Sequence, residues 1–314
     1  ETLGPIELPE YKTTIDTRNF LAEVQREVES GNDKTKGEPK RILKILTPII
    51  FEKLSKLNEE QKNLLSAKLA GHFAKKDIML YFQESIIQNL FADLGVAGEV
   101  AVLPENFFGE YLAIVNANIG GGKSDAFMSQ KIKLESKIDS RGLISNRLVV
   151  ERSHAGKNEK EWWYRATNKN YLQVFVTPGS ELKKISGGVK KTIQSLVDYS
   201  VGGFETDKDL AVIEKKGALI FGKTVFSTWL DVPAGTSKKL EVEYLAPRRA
   251  NLALATQPYR FIFEKQSGVK SSVEFSLEAP EGFVWRESSS RIFNFKTEDP
   301  SARVILDLTL EKLN

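Results

Sequence analysis

A chain of 314 residues is long enough to bury a substantial core without covalent staples, and at usual domain sizes it holds about two domains. It contains no Cys and two His, His72 and His154, which excludes disulfides, thiolate metal sites and Cys nucleophiles and leaves too few imidazoles for a multi-histidine metal site; no cofactor is expected. Lys+Arg 45 against Asp+Glu 42 leaves a net charge of +3, too balanced for the strong basic field of a dedicated nucleic-acid binder.

In chain order, residues 4–11 carry two prolines and alternating apolar residues, which predicts an extended arm or edge strand. Asp16 or Thr17 then caps a helix with Phe20, Leu21, Val24 and Val28 on one face, ending at Gly31. Residues 39–57 form a broad apolar helical stripe with a kink or break expected at Pro48, and Asn58 opens another helix running to about Lys76. Residues 78–82 read as a short strand, and residues 83–93 as a helix with Ile86, Ile87, Leu90 and Phe91 inward and Gly95 as its C-cap. From about residue 100 the apolar period changes from 3.6 to 2. Residues 132–138 and 143–152 flank the turn Asp139-Ser140-Arg141-Gly142 as a hairpin, and residues 211–221 and 223–232 flank Gly222 as a second. Short strands at about 171–177, 239–245, 259–264, 272–277, 283–286, 291–295 and 303–310 complete the pattern. The expectation is an α+β chain: a mixed α/β domain over residues 1–204, helical to about 95 and packed on a small sheet, followed by an immunoglobulin-like β-sandwich over residues 205–314. No apolar run is long enough to span a bilayer, and no cleavable signal pattern is present.

The most unusual local sequence follows an apolar strand: Asn116, Ala117, Asn118, Ile119, Gly120, Gly121, Gly122, Lys123, Ser124, Asp125. Strand, glycines and Lys-Ser are the ingredients of a phosphate loop, but Ala117 occupies the place of the first glycine and a strand, instead of a long helix, is expected after Met128. The segment reads as a tight or flexible loop, with a modest anion or polar-ligand site built from its amides, Asn116, Asn118 and Lys123 as the functional alternative. His154 ends a strand beside Ser153, but no Gly-x-Ser-x-Gly elbow accompanies them, so a hydrolytic triad is not assigned and a solvated or hydrogen-bonded surface role is expected. Trp162, Trp163 and Tyr164 are the densest aromatic cluster. Read as a strand, neighbours point to opposite faces; packing is favoured over a sugar-stacking platform. No catalytic residue and no metal ligand is assigned.

The run 113–125, together with Glu151-Arg152-Ser153-His154, residues 171–182, Tyr244-Leu245-Ala246-Pro247 and residues 264–268, resembles the bacterial domain of unknown function 4012 family over most of the chain. Thr177 and Ser267 depart from that pattern, where proline is more typical. The resemblance implies a cell-envelope protein held by an N-terminal transmembrane anchor that is absent from this chain; that Glu1 is not a start methionine fits a processed or excised chain. It brings no activity with it. A cysteine-free composition is also more usual outside the cytoplasm. The resulting expectation is a non-catalytic extracytoplasmic surface module that binds a polymer or protein partner and no nucleic acid, through Asn116, Asn118, Gly120, Gly121, Gly122, Lys123, Ser124, Asp125, His154, Trp162, Trp163 and Tyr164. The alternative is an envelope glycopolymer transferase whose Gly-rich loop and Lys123 hold a pyrophosphate.

Overall fold

The computed structural model describes residues 2–191 and 218–313. The domain boundary expected at residues 204 and 205, and residues 211–217 of the second predicted hairpin, lie outside them. The chain divides into two compact units, Glu1–His72 and Phe73–Asn314.

In the first unit the proline-containing arm folds on itself: β1 (Ile6–Leu8) pairs antiparallel with β2 (Thr13–Ile15) around a 3-10 turn at Pro9–Tyr11. The helices α1 (Phe20–Ser30), α2 (Asn32–Thr35) and α3 (Arg41–Ser55) follow, and Ile6, Leu8, Ile15, Val24, Ile42 and Leu46 form one small core. Pro48 lies inside α3 without ending it. The helix continues because Ile42 and Leu46 before it and Ile49 and Ile50 after it pack on the same core, which compensates for the missing N–H. The helix α4 (Glu59–Ala74) starts with a reciprocal box in which Gln61 N–H donates to Asn58 Oδ1 at 2.9 Å and Asn58 N–H to Gln61 Oε1 at 3.1 Å. Among the described residues, no helix is long and apolar enough to cross a membrane.

The second unit contains α5 (Ser85–Asp93), a single helical turn α6 (Trp162–Arg165) and thirteen strands among the described residues: β3 (Gly109–Asn118), β4 (Met128–Ile138), β5 (Ile144–His154), β6 (Asn168–Val176), β7 (Glu181–Ser186), β8 (Ala218–Ile220), β9 (Lys223–Val232), β10 (Ser237–Leu245), β11 (Thr256–Glu264), β12 (Lys270–Glu278), β13 (Phe283–Trp285), β14 (Ile292–Thr297) and β15 (Arg303–Lys312). They form a six-stranded sheet, β14-β12-β4-β5-β10-β7, and a seven-stranded sheet, β13-β15-β11-β3-β6-β9-β8. This corrects the expected α+β arrangement of a small sheet followed by a separate C-terminal sandwich. Late strands extend both sheets begun by early ones: β11 lies parallel to β3 and β12 parallel to β4, making both sheets mixed. Alternation along a strand says which side chains point inward; it is silent about which sheet the strand joins. No strand forms at residues 78–82, where Phe82 instead stacks on Phe91 of α5 at 4.7 Å.

The inner faces of the two sheets share one buried apolar cluster. Phe261 of β11 stacks on Phe275 of β12 at 4.0 Å, joining one sheet to the other. Polar side chains replace apolar ones at both ends of this space, and the Gly-rich loop closes one of them.

Candidate functional site

The Gly-rich loop joins β3 of the seven-stranded sheet to β4 of the six-stranded sheet, so it crosses the end of the shared core. Its glycines answer different demands. Gly120 takes a φ of +78°, a Cβ on Gly121 would stand 2.6 Å from Thr167 O, and Gly122 combines a φ of +59° with a Cβ position 2.7 Å from Trp163 O. The polar side chains hold the loop closed: Asn118 Nδ2 donates to Gly121 O at 3.2 Å and Ser124 Oγ at 3.1 Å, and the fully buried Ser124 hydroxyl donates to Gly121 O at 2.7 Å. The Lys123 N–H is bonded to Trp163 O at 2.9 Å. A four-residue 3-10 turn, Ser124–Phe127, follows and runs straight into β4. A phosphate-binding loop needs amides converging on a ligand at the start of a long helix, and neither feature is built here.

The predicted aromatic strand is instead the turn α6, which spreads its rings differently. Trp162 is 64% exposed, whereas Trp163 and Tyr164 are buried. Tyr164 packs edge-on to Phe127 at 5.0 Å, which fixes α6 against the end of the loop. His154 is 2% exposed, correcting the expected surface position. Its Nδ1 accepts from Gly156 N–H at 3.1 Å, so Nε2 carries the proton and donates to Ala166 O at 3.1 Å. Both ring nitrogens are thereby committed to holding the β5–β6 connection. Ser153, its sequence neighbour, faces the other way and meets Ser237 Oγ at 2.7 Å.

Under the loop lies a polar layer that sequence reasoning passed over. Asn116 donates through Nδ2 to Gln130 Oε1 at 3.1 Å and through its N–H to Gln266 Oε1 at 2.8 Å, and Gln130 Nε2 donates to Ser271 Oγ at 2.9 Å. Asn170 Nδ2 donates to Asn116 Oδ1 at 3.0 Å. Asn168 Nδ2 bridges Ser124 Oγ at 3.0 Å and Asp125 Oδ1 at 2.9 Å, and its Oδ1 accepts from Arg152 Nη2 at 3.3 Å. The signal was present: Leu148 and Val150 are inward on β5, so the period of 2 sends Arg152 and His154 inward as well. The structure thus gathers Asn116, Asn118, the three glycines, Lys123, Ser124, Asp125, His154 and the α6 aromatics at one end of the two sheets.

The opposite end of the core holds Glu110, fully buried, which accepts from Asn146 Nδ2 at 2.8 Å and from the Thr177 hydroxyl at 3.0 Å. Burial pushes its carboxyl up to about 7, against the hydrogen bonds from Thr177 that favour the charged form. On the outer side of the seven-stranded sheet, Glu264 accepts from the Tyr111 hydroxyl and from Arg303 Nε at 2.8 Å, with Lys76 Nζ at 3.5 Å. Burial opposes its charge, but Tyr111, Lys76 and Arg303 hold its carboxyl below the usual range. Lys223 Nζ lies 4.8 Å from the Tyr111 ring centre and donates to Ala101 O at 2.8 Å, so this cluster pins the segment before β3 onto the sheet. A groove of about 560 Å³ on the outer face of the six-stranded sheet includes Glu135, Lys137, Arg147 and Glu278. Those charges neutralise one another, Arg147 with Glu135 at 3.0 Å and Lys137 with Glu278 at 3.3 Å, as on a solvated sheet face. Among the described residues no group of three or more His, Asp or Glu is placed to hold a metal ion.

No family model matches the chain, and no curated protein matches it. Among solved structures, a protein of Legionella pneumophila subsp. pneumophila str. Philadelphia 1, provisionally described as nutrient binding, aligns at a TM-score of 0.35 and 8% identity over 65% of this chain and 72% of its own. A likeness at that level carries no argument about fold or function.

Proposed function

We propose that this chain is a non-catalytic binding module of the bacterial cell envelope, working outside the cytoplasm and holding a polymer or protein partner against the rim formed by the Gly120–Ser124 loop and Trp162. The observation that carries the reading is the exposure of Trp162 beside a loop whose polar side chains are tied down. An indole displayed on a rigid rim offers a large apolar face at little ordering cost, which suits stacking on a sugar ring. The commitments of Ser124 and His154 favour binding over group transfer, because neither is left as a nucleophile or base facing a substrate. The rival transferase reading rested on a pyrophosphate cradle, and the bonded Lys123 N–H and the short turn after it weigh against that cradle. The envelope setting is supported by the absence of Cys and by the resemblance to the domain of unknown function 4012 family, and kinship with that family belongs to the same proposal.

The test is a fluorescence titration with soluble cell-wall glycan fragments. Saturable binding is expected, and Trp162→Ala weakens it about tenfold while leaving the melting temperature unchanged, since an exposed ring contributes to the ligand and little to the fold. Absence of saturable binding, or equal binding by Trp162→Ala, removes this reading.

A further inference from the structure

Arg152 projects from the inward side of β5 into the layer under the loop and is 2% exposed. Its Nη2 donates to Asn168 Oδ1, but Nε and Nη1 meet no acceptor. A buried guanidinium with two unused donors is unfavourable, because water has been removed from a full charge without equivalent hydrogen bonds in return. The carboxylate that approaches it, Asp125, stands 3.8 Å away, beyond the 2.7–2.9 Å typical of a charge-assisted bond. The Asp125 side chain is 56% exposed, so it lies on the solvent side of the guanidinium. Burial lowers the affinity of Arg152 for its proton to a value of about 10, and Asp125 offsets this only in part. One further polar atom at this end also lacks a partner, Asn170 Oδ1, an acceptor.

We propose that Arg152 seats an anionic group of the ligand, the carboxylate or phosphate of an acidic glycan, which enters past the Gly-rich loop and replaces Asp125 at the guanidinium. Asp125 is a placeholder, held near the cation by Asn168 and exchangeable because its own contact is long. Three demands then meet one ligand: its anionic group, in Asp125's place beside Nη2, reaches an unused Arg152 donor, Asn170 Oδ1 takes a neighbouring hydroxyl, and Trp162 at the rim takes the ring. This assignment of charge rests on the binding reading above and narrows it to acidic partners.

The experiment is calorimetric titration of the full chain at low salt with glucuronate, inorganic phosphate and glucose, repeated for Asp125→Asn and Arg152→Met. The anionic probes are expected to bind at least about tenfold more tightly than glucose, a difference of one charge-assisted contact. Asp125→Asn keeps the hydrogen bond from Asn168 while removing the competing charge, so it tightens both anions severalfold; Arg152→Met abolishes the preference. Because position 125 is exposed, the Asn variant tests the idea even if the Met variant fails to fold. Preference for glucuronate over phosphate identifies a sugar acid as the source of the charge, and the reverse preference identifies a phosphate-bearing polymer. Equal binding of glucose and the anions, or an Asp125→Asn chain no tighter than the parent, overturns the proposal. If neutral glycans bind and Trp162→Ala weakens them, the surface-module reading survives that failure. If the anions bind through Arg152 but no polymer does, the reverse holds.

Discussion

Glu110 and Arg152 are buried charges at opposite ends of one core, and their surroundings treat them differently. Glu110 is met by donors from Asn146 and Thr177, whereas Arg152 leaves two donors unmet. The Glu110 carboxyl titrates near 7 in the folded chain and near its ordinary 4.5 when unfolded. Between those values the folded state binds the extra proton, so stability falls as pH rises through the window and is flat above it, a loss of about 3 kcal/mol. Glu110→Gln is therefore expected to flatten the decline in melting temperature between pH 4.5 and 7 and to melt above the parent at pH 8; an unchanged slope in a calorimetric pH series counts against this assignment. At this scale the chain's text was partly readable. Strand parity places Arg152 and Glu110 inward, yet charge alone suggests the surface, and only the donors supplied by other strands decide whether an inward charge is tolerated.

The elements were most legible where a turn or cap is encoded by adjacent residues. The Asp139–Gly142 turn, the Asn58/Gln61 box and the β8–β9 hairpin through Phe221 and Gly222 follow directly from local chemistry. The helices show the limit of that reasoning. Leu64 of α4 and Ile86 and Leu90 of α5 carry helical periodicity and are exposed, because periodicity marks a stripe without supplying a surface to cover it. The loop glycines make a sharper case, since two of equal appearance differ in cost. Gly122 has positive φ and a carbonyl where a Cβ would stand, so Gly122→Ala is expected to destabilise by about 2 kcal/mol or more. Gly222 has positive φ and nothing within 4 Å, so Gly222→Asn costs less than about 1 kcal/mol. Denaturant titration of both variants checks the contrast, and equal losses refute it.

Across the second unit, the decisive feature is that strands far apart in sequence lie side by side. The parallel pairs β3–β11 and β4–β12 join residues about 150 and 140 positions apart, and both sheets draw on one apolar cluster. The Phe261–Phe275 stack bridges them, so Phe261→Ala is expected to cost about 3–5 kcal/mol and to lower the protection of both sheets together. Native-state hydrogen exchange distinguishes the outcomes: equal loss for slow amides of β3 and β4 supports one cooperative core, while loss confined to the seven-stranded sheet argues for two. Closing such long loops before the pairings reward them also predicts slow folding for this unit.

By itself the sequence determined where most strands of the second unit lie, which of their side chains alternate inward, where the tight turns fall, and that neither disulfides nor thiolate metal sites are available. These depend on covalent geometry and on neighbours a few residues away. Only the tertiary structure decided which sheet each strand joins, that α6 presents Trp162 while burying Trp163, and that Arg152 ends under the Gly-rich loop with Asp125 as its distant partner. Those outcomes follow from hydrogen bonding and packing between segments from tens to more than a hundred residues apart, or from the fit of a short turn onto a finished core, and no local period encodes them.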